Sequence, residues 1–465
     1  MADLKLALAK NSILIGGVDI VEQKLNSIAL KDDVDINENP DILKALTDIK
    51  KEMRVRIGTI LKTDNVSFLF GAGASMIAGG ILLGKIPEVI EKELLFRGYK
   101  NGLRLARWLK LFYEIVSKIS NTDYNAKDRY GILYNVQRST DDVRIGVNFE
   151  ELLSHICMLF SAVNIYGNKL ILKEDGQADL VAEKKHLVQL KNELVSQLVS
   201  QCSLPKIEIS KGLETHIKFI KKILTRPLNL RRANIFTLNY DTLIEQASDT
   251  SGVVLVDGFI GNVKRVFRPE SYDLDFYFPA QTTEGRVHRF DRALHLYKLH
   301  GSINWYNDEQ SWENPYGLTC NNSGKIETGR DVIIYPSPLK YGQTLGLPYS
   351  ELFRRFCTSI SQPQSVLFVI GYGFGDDHVN ALIHQSLSIP SFSLVIVDPY
   401  PGSSFVNKLI ESKDERVIVI KGSELGDFTK FAEDLLPDIE QEDVQIKVTK
   451  TYNALKMVNN SSTME

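Results

Sequence analysis

The chain has 465 residues, 43% of them hydrophobic and 24% charged, which is the balance of a folded globular protein of about two to three domains. The formal net charge of −3 argues against bulk binding of nucleic acid and against attraction to a membrane surface. No apolar run approaches the roughly 18–20 residues of a membrane helix, and the first residues lack the apolar stretch of a secretory signal. Four scattered cysteines fit a reducing compartment, so we expect a cytoplasmic protein.

Residues 1–60 are predicted to form an N-terminal helical segment. Asn39 suits a helix N-cap and Pro40 suits the first helical position. Apolar residues then recur every three to four positions, at Ile42, Leu46, Ile49, Met53 and Ile57. This spacing gives the helix one apolar face, which must be buried against the main domain or against another subunit.

A buried strand is predicted at residues 66–70, and helical periodicity follows from about 85 to 230. The apolar stripes of this stretch include Leu109, Phe112 and Val116 in one helix and Leu187, Leu190 and Leu194 in another. The polar stretches 120–145 and 165–186 are predicted to be connecting loops. We interpret the whole stretch as a helical insertion.

After residue 230 the pattern changes to short, continuous apolar runs. They begin at Ile235, Leu296, Val332, Val366, Leu394 and Val417. Runs of this kind, separated by helical or loop lengths, indicate strands that are covered on both faces. The predicted fold is therefore α/β, a Rossmann-like parallel sheet over residues 61–440 that carries the insertion, followed by a C-terminal tail over 441–465.

The first candidate motif is the glycine loop Gly71-Ala72-Gly73-Ala74-Ser75, directly after the strand at 66–70. Glycines at this position let backbone N–H groups approach a pyrophosphate, which the following helix N-terminus also favours. An ordinary tight turn between a strand and a helix explains the same residues about equally well.

The second motif is Thr237-Leu238-Asn239-Tyr240-Asp241, at the end of the strand that begins near Ile235. Ligands of α/β proteins bind at this edge of the sheet. Asn239 can donate and accept hydrogen bonds, so it can hold a ribose hydroxyl or a water, and Asp241 can orient a neighbour or stabilise a developing cation. Both residues could instead cap the helix that follows.

The third motif, Leu299-His300-Gly301-Ser302, also follows a predicted strand. Histidine titrates near neutrality, so His300 is placed to act as a base or to activate a ribose hydroxyl. A lone histidine is more often a surface or core residue, and we give the chain's other histidines that interpretation, apart from His378.

Two further strand ends carry candidate residues. Gly371, Gly373 and Gly375 alternate around Phe374, which permits close approach of a ligand to the backbone. Asp376-Asp377-His378 follow directly, but without an obvious fourth ligand we interpret them as a loop and helix cap, and we predict no metal site. Asp398 could bind ribose hydroxyls, although an Asp-Pro turn is as good an explanation.

Taken together, the motifs resemble those of the sirtuin-like NAD-binding family, over roughly residues 61–440. The resemblance implies that the glycine loop cradles the phosphates of NAD+ and that Asn239 and Asp241 surround the nicotinamide ribose. It also implies that His300 is the essential catalytic residue. We expect His300, Asn239 and Asp241 to be catalytic, with Asp241 orienting the other two. The residues expected to bind the ligand are Gly71, Ala72, Gly73, Ser75, Thr237, Gly371, Gly373, Phe374 and Asp398.

The chain departs from protein-deacylating sirtuins in its cysteines. Those enzymes carry four zinc cysteines after the catalytic histidine, whereas only Cys320 and Cys357 follow His300, so no zinc is expected. Asn239-Tyr240-Asp241 and the stretch 149–153 look like the branch of bacterial anti-phage defence proteins, whose members hydrolyse NAD+ to nicotinamide and ADP-ribose. NAD+ is then a substrate. The alternatives are an NAD-dependent deacylase or ADP-ribosyltransferase, and a subunit that senses NAD or ADP-ribose without catalysis.

The resemblance also bears on partners. A constitutive NAD+ hydrolase would be toxic, so control through oligomerisation or a separate subunit is expected. In this family some members form large rings and others assemble with a hexameric HerA-type ATPase. We therefore expect a homo-oligomer with a HerA-type ATPase as a possible partner, and neither direct nucleic-acid binding nor membrane attachment.

Overall fold

The computed structural model describes residues 11–26, 40–81, 85–98, 105–134, 145, 147, 149–174, 177–204, 206–278, 288–321, 332–334 and 348–437. The strands are β1 Ser12–Ile15, β2 Val18–Asp19, β3 Asn65–Phe70, β4 Lys169–Glu174, β5 Gln177–Glu183, β6 Asn234–Thr237, β7 Val254–Val256, β8 Phe259–Ile260, β9 Arg265–Phe267, β10 Tyr277–Phe278, β11 His288–Arg289, β12 Ala293–Lys298, β13 Gly301–Asn307, β14 Leu318–Cys320, β15 Val332–Ile334, β16 Ser365–Ile370, β17 Ser393–Val397 and β18 Val417–Lys421.

The helices follow the same order along the chain. They are α1 Ile20–Asn26, α2 Pro40–Ile60, α3 Ile86–Gly98, α4 Arg107–Ser120, α5 Ala126–Tyr134, α6 Phe149–Tyr166, α7 Lys184–Cys202, α8 Lys206–Leu224, α9 Leu243–Thr250, α10 Tyr349–Ile360, α11 Asp377–Ser386, α12 Ser404–Glu411 and α13 Phe428–Lys430. Short 3₁₀ helices lie at Ala72–Ala78 and Pro269–Asp273, and a π-helical turn at Phe431–Leu435 follows α13. None of the helices in these described ranges is long and apolar enough to cross a membrane.

The main sheet has nine strands in the described part of the chain, in the order β2-β1-β18-β17-β16-β3-β6-β12-β7. All pairs from β18 to β7 are parallel, and β1 adds to β18 in the antiparallel direction. This confirms the predicted α/β fold with a Rossmann-like parallel sheet. Because the central strands β3, β16 and β6 are covered on both faces, their sequences are continuous apolar runs.

Alternating side chains of β3 show how the two faces are filled. Phe68 and Phe70 point to one face, where both rings pack edge-on against Phe219 of α8 at 5.0 and 5.1 Å between centroids. Leu69, between them, is fully buried in the apolar cluster on the opposite face. A period of two along a strand therefore supplies two separate hydrophobic cores.

The N-terminal segment packs on the main domain. Helix α2 begins at Pro40 as predicted, whereas the predicted cap Asn39 lies outside the described residues. Ile42, Ile49 and Ile57 are each at most 2% exposed, and the last two belong to the core beneath the main sheet. The sequence predicted only helix in this segment, yet β1 and β2 precede α2, and β1 extends the edge of the sheet.

The insertion has a hydrophobic core of its own. Helices α3, α4, α6 and α7 share one apolar cluster, which contains the predicted stripes. The stretches 120–145 and 165–186 were both predicted to be connecting loops. The structure instead has helix α5 within the first stretch and the hairpin of β4 and β5 within the second. Helix α8 was also predicted to be part of the insertion. It packs on the main sheet instead, because its residues Phe219, Ile220 and Ile223 belong to the core of that sheet.

A second sheet, which is antiparallel, includes β13, the strand that begins within the third motif. Its order is β15-β13-β14-β9-β8. Strand β15 contains the apolar run at Val332, which we had expected in the parallel sheet. That expectation was wrong, because β15 pairs in the antiparallel direction with β13. Residues 441–465, predicted as a tail, lie outside the described ranges.

Candidate active site

The loops that carry the predicted motifs lie side by side at one edge of the main sheet. Strands β17, β16, β3, β6 and β12 are consecutive neighbours and run parallel, so their carboxyl ends meet at this edge. Gly371, Gly71, Leu238 and Leu299 directly follow β16, β3, β6 and β12. Backbone hydrogen bonds tie these ends together, with Leu238 N donating to Phe70 O and Leu299 N donating to Thr237 O, both at 2.9 Å.

The glycine loop packs directly against the loop after β16. A Cβ atom on Gly71 would lie 2.5 Å from Tyr372 Cα, and one on Gly73 would lie 2.9 Å from Gly371 Cα. Gly371 has a φ of +61°, and its own Cβ would lie 2.4 Å from the backbone nitrogen of Ala74. The three glycines are therefore required for contact between the two loops. Gly73 N–H donates to Gly371 O at 2.8 Å, so in this structure that amide faces protein.

A chain of side-chain hydrogen bonds joins the first two motifs. Asn239 Nδ2 donates to Gly71 O and to Ser75 Oγ, each at 2.9 Å. Ser75 Oγ donates in turn to Asp241 Oδ2 at 2.6 Å, a short bond typical of a hydroxyl on a carboxylate. Asp241 Oδ1 accepts from the backbone nitrogen of Leu243 at 3.1 Å, which also fulfils the capping role considered for it. Asn239 is thus fixed in orientation by the glycine loop.

Thr237, the first residue of the second motif, stabilises the backbone of that motif. Its side chain is buried, with 3% exposure, and its hydroxyl accepts from Asn239 N at 3.0 Å. The hydroxyl also lies 3.5 Å from Phe70 O. These contacts give Thr237 a structural task within the loop, whereas the sequence predicted it as a ligand contact.

A cleft of about 490 Å³, open to solvent, lies beside this hydrogen-bonded chain. Its polar wall is formed by Ser75, Asn239 and Asp241, and Ala72 of the glycine loop also lines it. Residues at both ends of the insertion form an apolar wall, namely Ile81, Ile86, Cys202 and Leu204. Burial raises the pKa of the Cys202 thiol to about 12, so Cys202 is a neutral part of this wall at neutral pH.

His300 lies in the turn between β12 and β13 and pairs with a carboxylate that the sequence did not connect to it. His300 Nε2 is 3.1 Å from Asp376 Oδ2, and the side chains are only 10% and 8% exposed. Asp376 Oδ1 accepts from His378 N at 3.1 Å, so the same carboxylate caps α11. The ring of Phe353 lies beside both histidines, 6.2 Å from His300 and 4.8 Å from His378.

This pairing revises the predicted role of Asp241. We had expected Asp241 to orient both His300 and Asn239. In the structure Asp241 reaches Asn239 through Ser75, whereas the carboxylate at His300 belongs to Asp376. The sequence placed Asp376 after a glycine-rich strand end, which is a position typical of site residues. We nevertheless interpreted it only as a helix cap, because that role was sufficient to explain an aspartate there.

The loop around Phe374 turns the aromatic ring of this residue inward. Phe374 has a φ of +54° and is 6% exposed, with its ring stacked at 5.4 Å on Phe405. Asn380 Nδ2 donates to Phe374 O at 2.9 Å and so holds this backbone. A Cβ atom on Gly373 or Gly375 would meet nothing within 4 Å, so the backbone beside these glycines is the accessible part of the loop.

Asp398 follows β17 at the same sheet edge. Its Oδ1 accepts from Tyr400 N at 2.8 Å, which is the turn contact considered for it. Burial raises the pKa of the Asp398 carboxyl above its ordinary value, against a smaller opposing effect of the Tyr400 N–H. The side chain is only partly buried, so it can still meet a hydroxyl-bearing ligand.

No metal centre is formed by the residues that the structure describes. Within those ranges no three side chains of His, Cys, Asp and Glu come together as ligands. Cys320 lies on β14 and Cys357 on α10, and neither is part of a disulfide. The absence of zinc stays a prediction.

Comparisons with known proteins place a known domain in the second half of the chain. Two solved structures resemble the fold at 11% identity: a SIR2 homologue with NAD (84% of this chain, 94% of that chain, TM-score 0.36) and a Sir2 homologue mutant with 2'-O-acetyl ADP-ribose (83%, 96%, 0.37). No curated protein matches the chain. Residues 233–418, which include Thr237–Asp241, His300 and Asp376, match the family model of the SIR2-like domain.

Proposed function

We propose that the chain is an NAD+ hydrolase that cleaves the bond between nicotinamide and ribose to give nicotinamide and ADP-ribose. The match to the SIR2-like domain supports a ligand of the NAD type. The observation that carries the proposal is the arrangement of Asn239, Ser75 and Asp241 along the wall of a cleft, with His300 after the adjoining strand β12 and paired there with Asp376.

The arrangement suits cleavage of a glycosidic bond. The C1'–N bond breaks through an oxocarbenium-like state, its electron pair leaves with neutral nicotinamide, and the water oxygen bonds to C1'. Because the leaving group is neutral, no strong acid is needed. The site must hold the ribose, stabilise positive charge and accept the proton of water.

Each polar residue has a place in this chemistry. Asn239 keeps its amide oriented through Ser75 and Gly71, so it can position water or a ribose hydroxyl. Asp241 supplies negative charge at the cleft wall for the developing cation. His300 accepts the proton near the ribose hydroxyls, and Asp376 holds its imidazole.

The remainder of the ligand is assigned to the neighbouring loops. The phosphates lie by the glycine loop, at Ala72 and Ser75 beside the cleft, with Gly71 and Gly73 shaping the loop. Gly371, Gly373 and the backbone of Phe374 are assigned to the ligand at the next strand end, where Gly373 and Gly375 leave room for it. Asp398 binds hydroxyls of the second ribose.

The test is to incubate the purified protein with NAD+ alone and to quantify nicotinamide and ADP-ribose by chromatography. Equal amounts of both products support hydrolysis. Nicotinamide that forms only when an acylated peptide or an acceptor protein is added would replace hydrolysis by deacylation or ADP-ribosyl transfer. Tight NAD+ binding without products, both with and without an activating partner, would make the chain a sensor.

We further propose that the hydrolase acts in the cytoplasm in anti-phage defence, as a homo-oligomer or with a HerA-type ATPase. The resemblance of the motifs supports this context, and the toxicity of uncontrolled NAD+ loss supports a regulating partner. NAD+ measured in cells that carry the chain should fall after phage infection and stay constant in cells that carry His300→Ala. Sedimentation of a fully active monomer would contradict control by assembly.

A further inference from the structure

Lys298 is a buried cation directly beneath the proposed site. It is the last residue of β12, two positions before His300, and it is 2% exposed. Its ammonium group donates to the carbonyl oxygens of Asp241 and, at 3.5 Å, Tyr240, and to Glu245 Oε1 at 2.8 Å. Three acceptors match the three N–H groups of a lysine.

The segment that Lys298 contacts carries Asn239 and Asp241. Residues 238–242 connect β6 to α9 without helix or strand structure of their own. The middle carbonyl of this segment, Tyr240 O, also accepts from Ile303 N at 3.1 Å and from Ser302 Oγ at 3.3 Å. Donors on both sides of His300 therefore hold the segment that bears the other catalytic candidates.

Stability alone does not explain a lysine here. Burying an ion pair costs desolvation that an apolar pair of similar volume avoids, so such pairs contribute little net stability. Glu245 shows this cost, because burial raises the pKa of its carboxyl and the nearby Lys298 only partly opposes that effect. An apolar residue could fill the space, but it could not hold two backbone carbonyls.

We propose that Lys298 is a positioning residue. By donating hydrogen bonds from the end of β12 to the carbonyl oxygens of Tyr240 and Asp241, it fixes the segment that carries Asn239 and Asp241 relative to His300. The kinetic test of this role, given below, rests on the proposed NAD+ hydrolysis, whereas the test by hydrogen exchange does not depend on it. It assigns Lys298 no contact with substrate. Glu245 supplies the counter-charge that makes the buried ammonium tolerable.

The test compares Lys298→Met with the double variant Lys298→Met/Glu245→Leu. Loss of positioning should lower kcat for nicotinamide release about 100-fold, the order expected for a misplacement near 1 Å, with the KM for NAD+ changed less than about threefold. The double variant removes the unpaired carboxylate, so its thermal stability should recover while its kcat stays low. Recovery of kcat in the double variant would overturn the proposal, because Lys298 would then serve only to neutralise Glu245.

Lys222→Met is the matched control. Lys222 also donates to backbone carbonyls, those of Ala432, Glu433 and Leu436, at 2.7 to 2.9 Å. These carbonyls lie at the π-helical turn after α13, away from the candidate site. Its loss should lower thermal stability and leave kcat within about twofold, since no catalytic candidate moves. An equal fall of kcat in this control would contradict a specific role for Lys298.

Hydrogen exchange keeps the inference independent of the hydrolase assay. Amides of residues 238–243 should exchange at least about tenfold faster in both Lys298 variants than in the wild type or in Lys222→Met, because a held segment opens less often. If the wild type releases no nicotinamide but this difference is found, the proposed function fails and the positioning role stands. Unchanged exchange in folded Lys298→Met would refute the positioning role.

Discussion

The two edges of the main sheet both bury charged and polar groups, but they satisfy them in different ways. Where the strands begin, Arg232 donates to Asp275 and to the carbonyls of Phe290 and Ala293, and Arg289 donates to the same Asp275. Where the strands end, Asn239, Ser75 and Asp241 bond to one another along a cleft, and His300 pairs with Asp376. The two edges therefore differ in the hydrogen-bond and ion-pair partners of their polar side chains, more than in how deeply those side chains are buried.

The comparison gives a physical criterion for function. At the first edge, the guanidinium groups of Arg232 and Arg289 line a smaller cleft, but they donate to backbone carbonyls and to one carboxylate, so they join loops to the sheet. At the second edge, Asn239, Ser75 and Asp241 hold each other through hydrogen bonds and line an open cleft, and His300 pairs with Asp376 after the neighbouring strand. Substitutions at the second edge should therefore change catalysis, and those at the first should change stability.

The largest effect is expected from His300→Ala. Loss of the proposed base should lower kcat by about 10³-fold or more, because general-base catalysis contributes on this order. Nicotinamide release by purified protein is the measurement. His384→Ala, an exposed histidine of α11, is the control and should retain full activity. Activity in well-folded His300→Ala would refute the assigned role.

A somewhat smaller loss, about 100-fold in kcat, is expected from Asn239→Ala. The change removes donors to Gly71 O and Ser75 Oγ and any hold on water or ribose. Nicotinamide release and the NAD+ dissociation constant should be measured together. Loss of binding alone, with kcat intact at saturating NAD+, would move Asn239 from the chemistry to ligand recognition.

Asp376→Asn should lower kcat by about 10- to 100-fold, as expected when a catalytic group loses its orienting carboxylate. Asparagine is as good an N-cap as aspartate, so α11 stays capped and the fold is kept. Asp377→Asn, at the exposed first position of the same helix, is the matched control. Equal activities of the two variants would show that Asp376 serves only as a cap.

At the opposite edge, Asp275→Asn should lower stability and leave kcat unchanged. Burial by itself raises the pKa of Asp275, but hydrogen bonds from Arg289 and Arg232 outweigh it, and the net pKa is lowered. A lowered pKa means that the carboxylate stabilises the fold at neutral pH, by about 2 kcal/mol for hydrogen bonds to a charged group.

The pH dependence of unfolding checks the sign of this effect. The difference between wild type and Asp275→Asn should be complete at pH 7 and should begin to shrink near about pH 4, where the carboxylate of the unfolded chain becomes protonated. It should be lost once the pH falls through the lowered pKa of the folded carboxylate. Denaturant midpoints at several pH values measure it. A difference that grows in acid would contradict the assigned ion pair.

The sequence predicted the parallel core well, because strands buried on both faces must be continuous apolar runs. The runs at Val66, Ile235 and Val366 therefore identified β3, β6 and β16. It missed the β4–β5 hairpin, whose strands contain charged residues and read as a loop. The direction of β15 was also missed, since three apolar residues do not specify which strand they pair with.

The same limit holds in the candidate site. Position after a strand end was sufficient to select Asn239, Asp241 and His300, because parallel strands bring their carboxyl ends together. Which carboxylate serves which partner depends on side-chain geometry across neighbouring loops. Asp376 is 76 residues from His300 in the sequence, and local reasoning explained it fully as a helix cap.

We propose that this chain cleaves NAD+ with the residues gathered at the strand ends. The most direct measurement is the yield of nicotinamide and ADP-ribose from NAD+ alone, for wild type and His300→Ala that bind NAD+ equally well by calorimetry. We expect equal amounts of both products from the wild type and none above background from the variant. NAD+ bound by both proteins and products formed by neither, even with an activating partner, would contradict it.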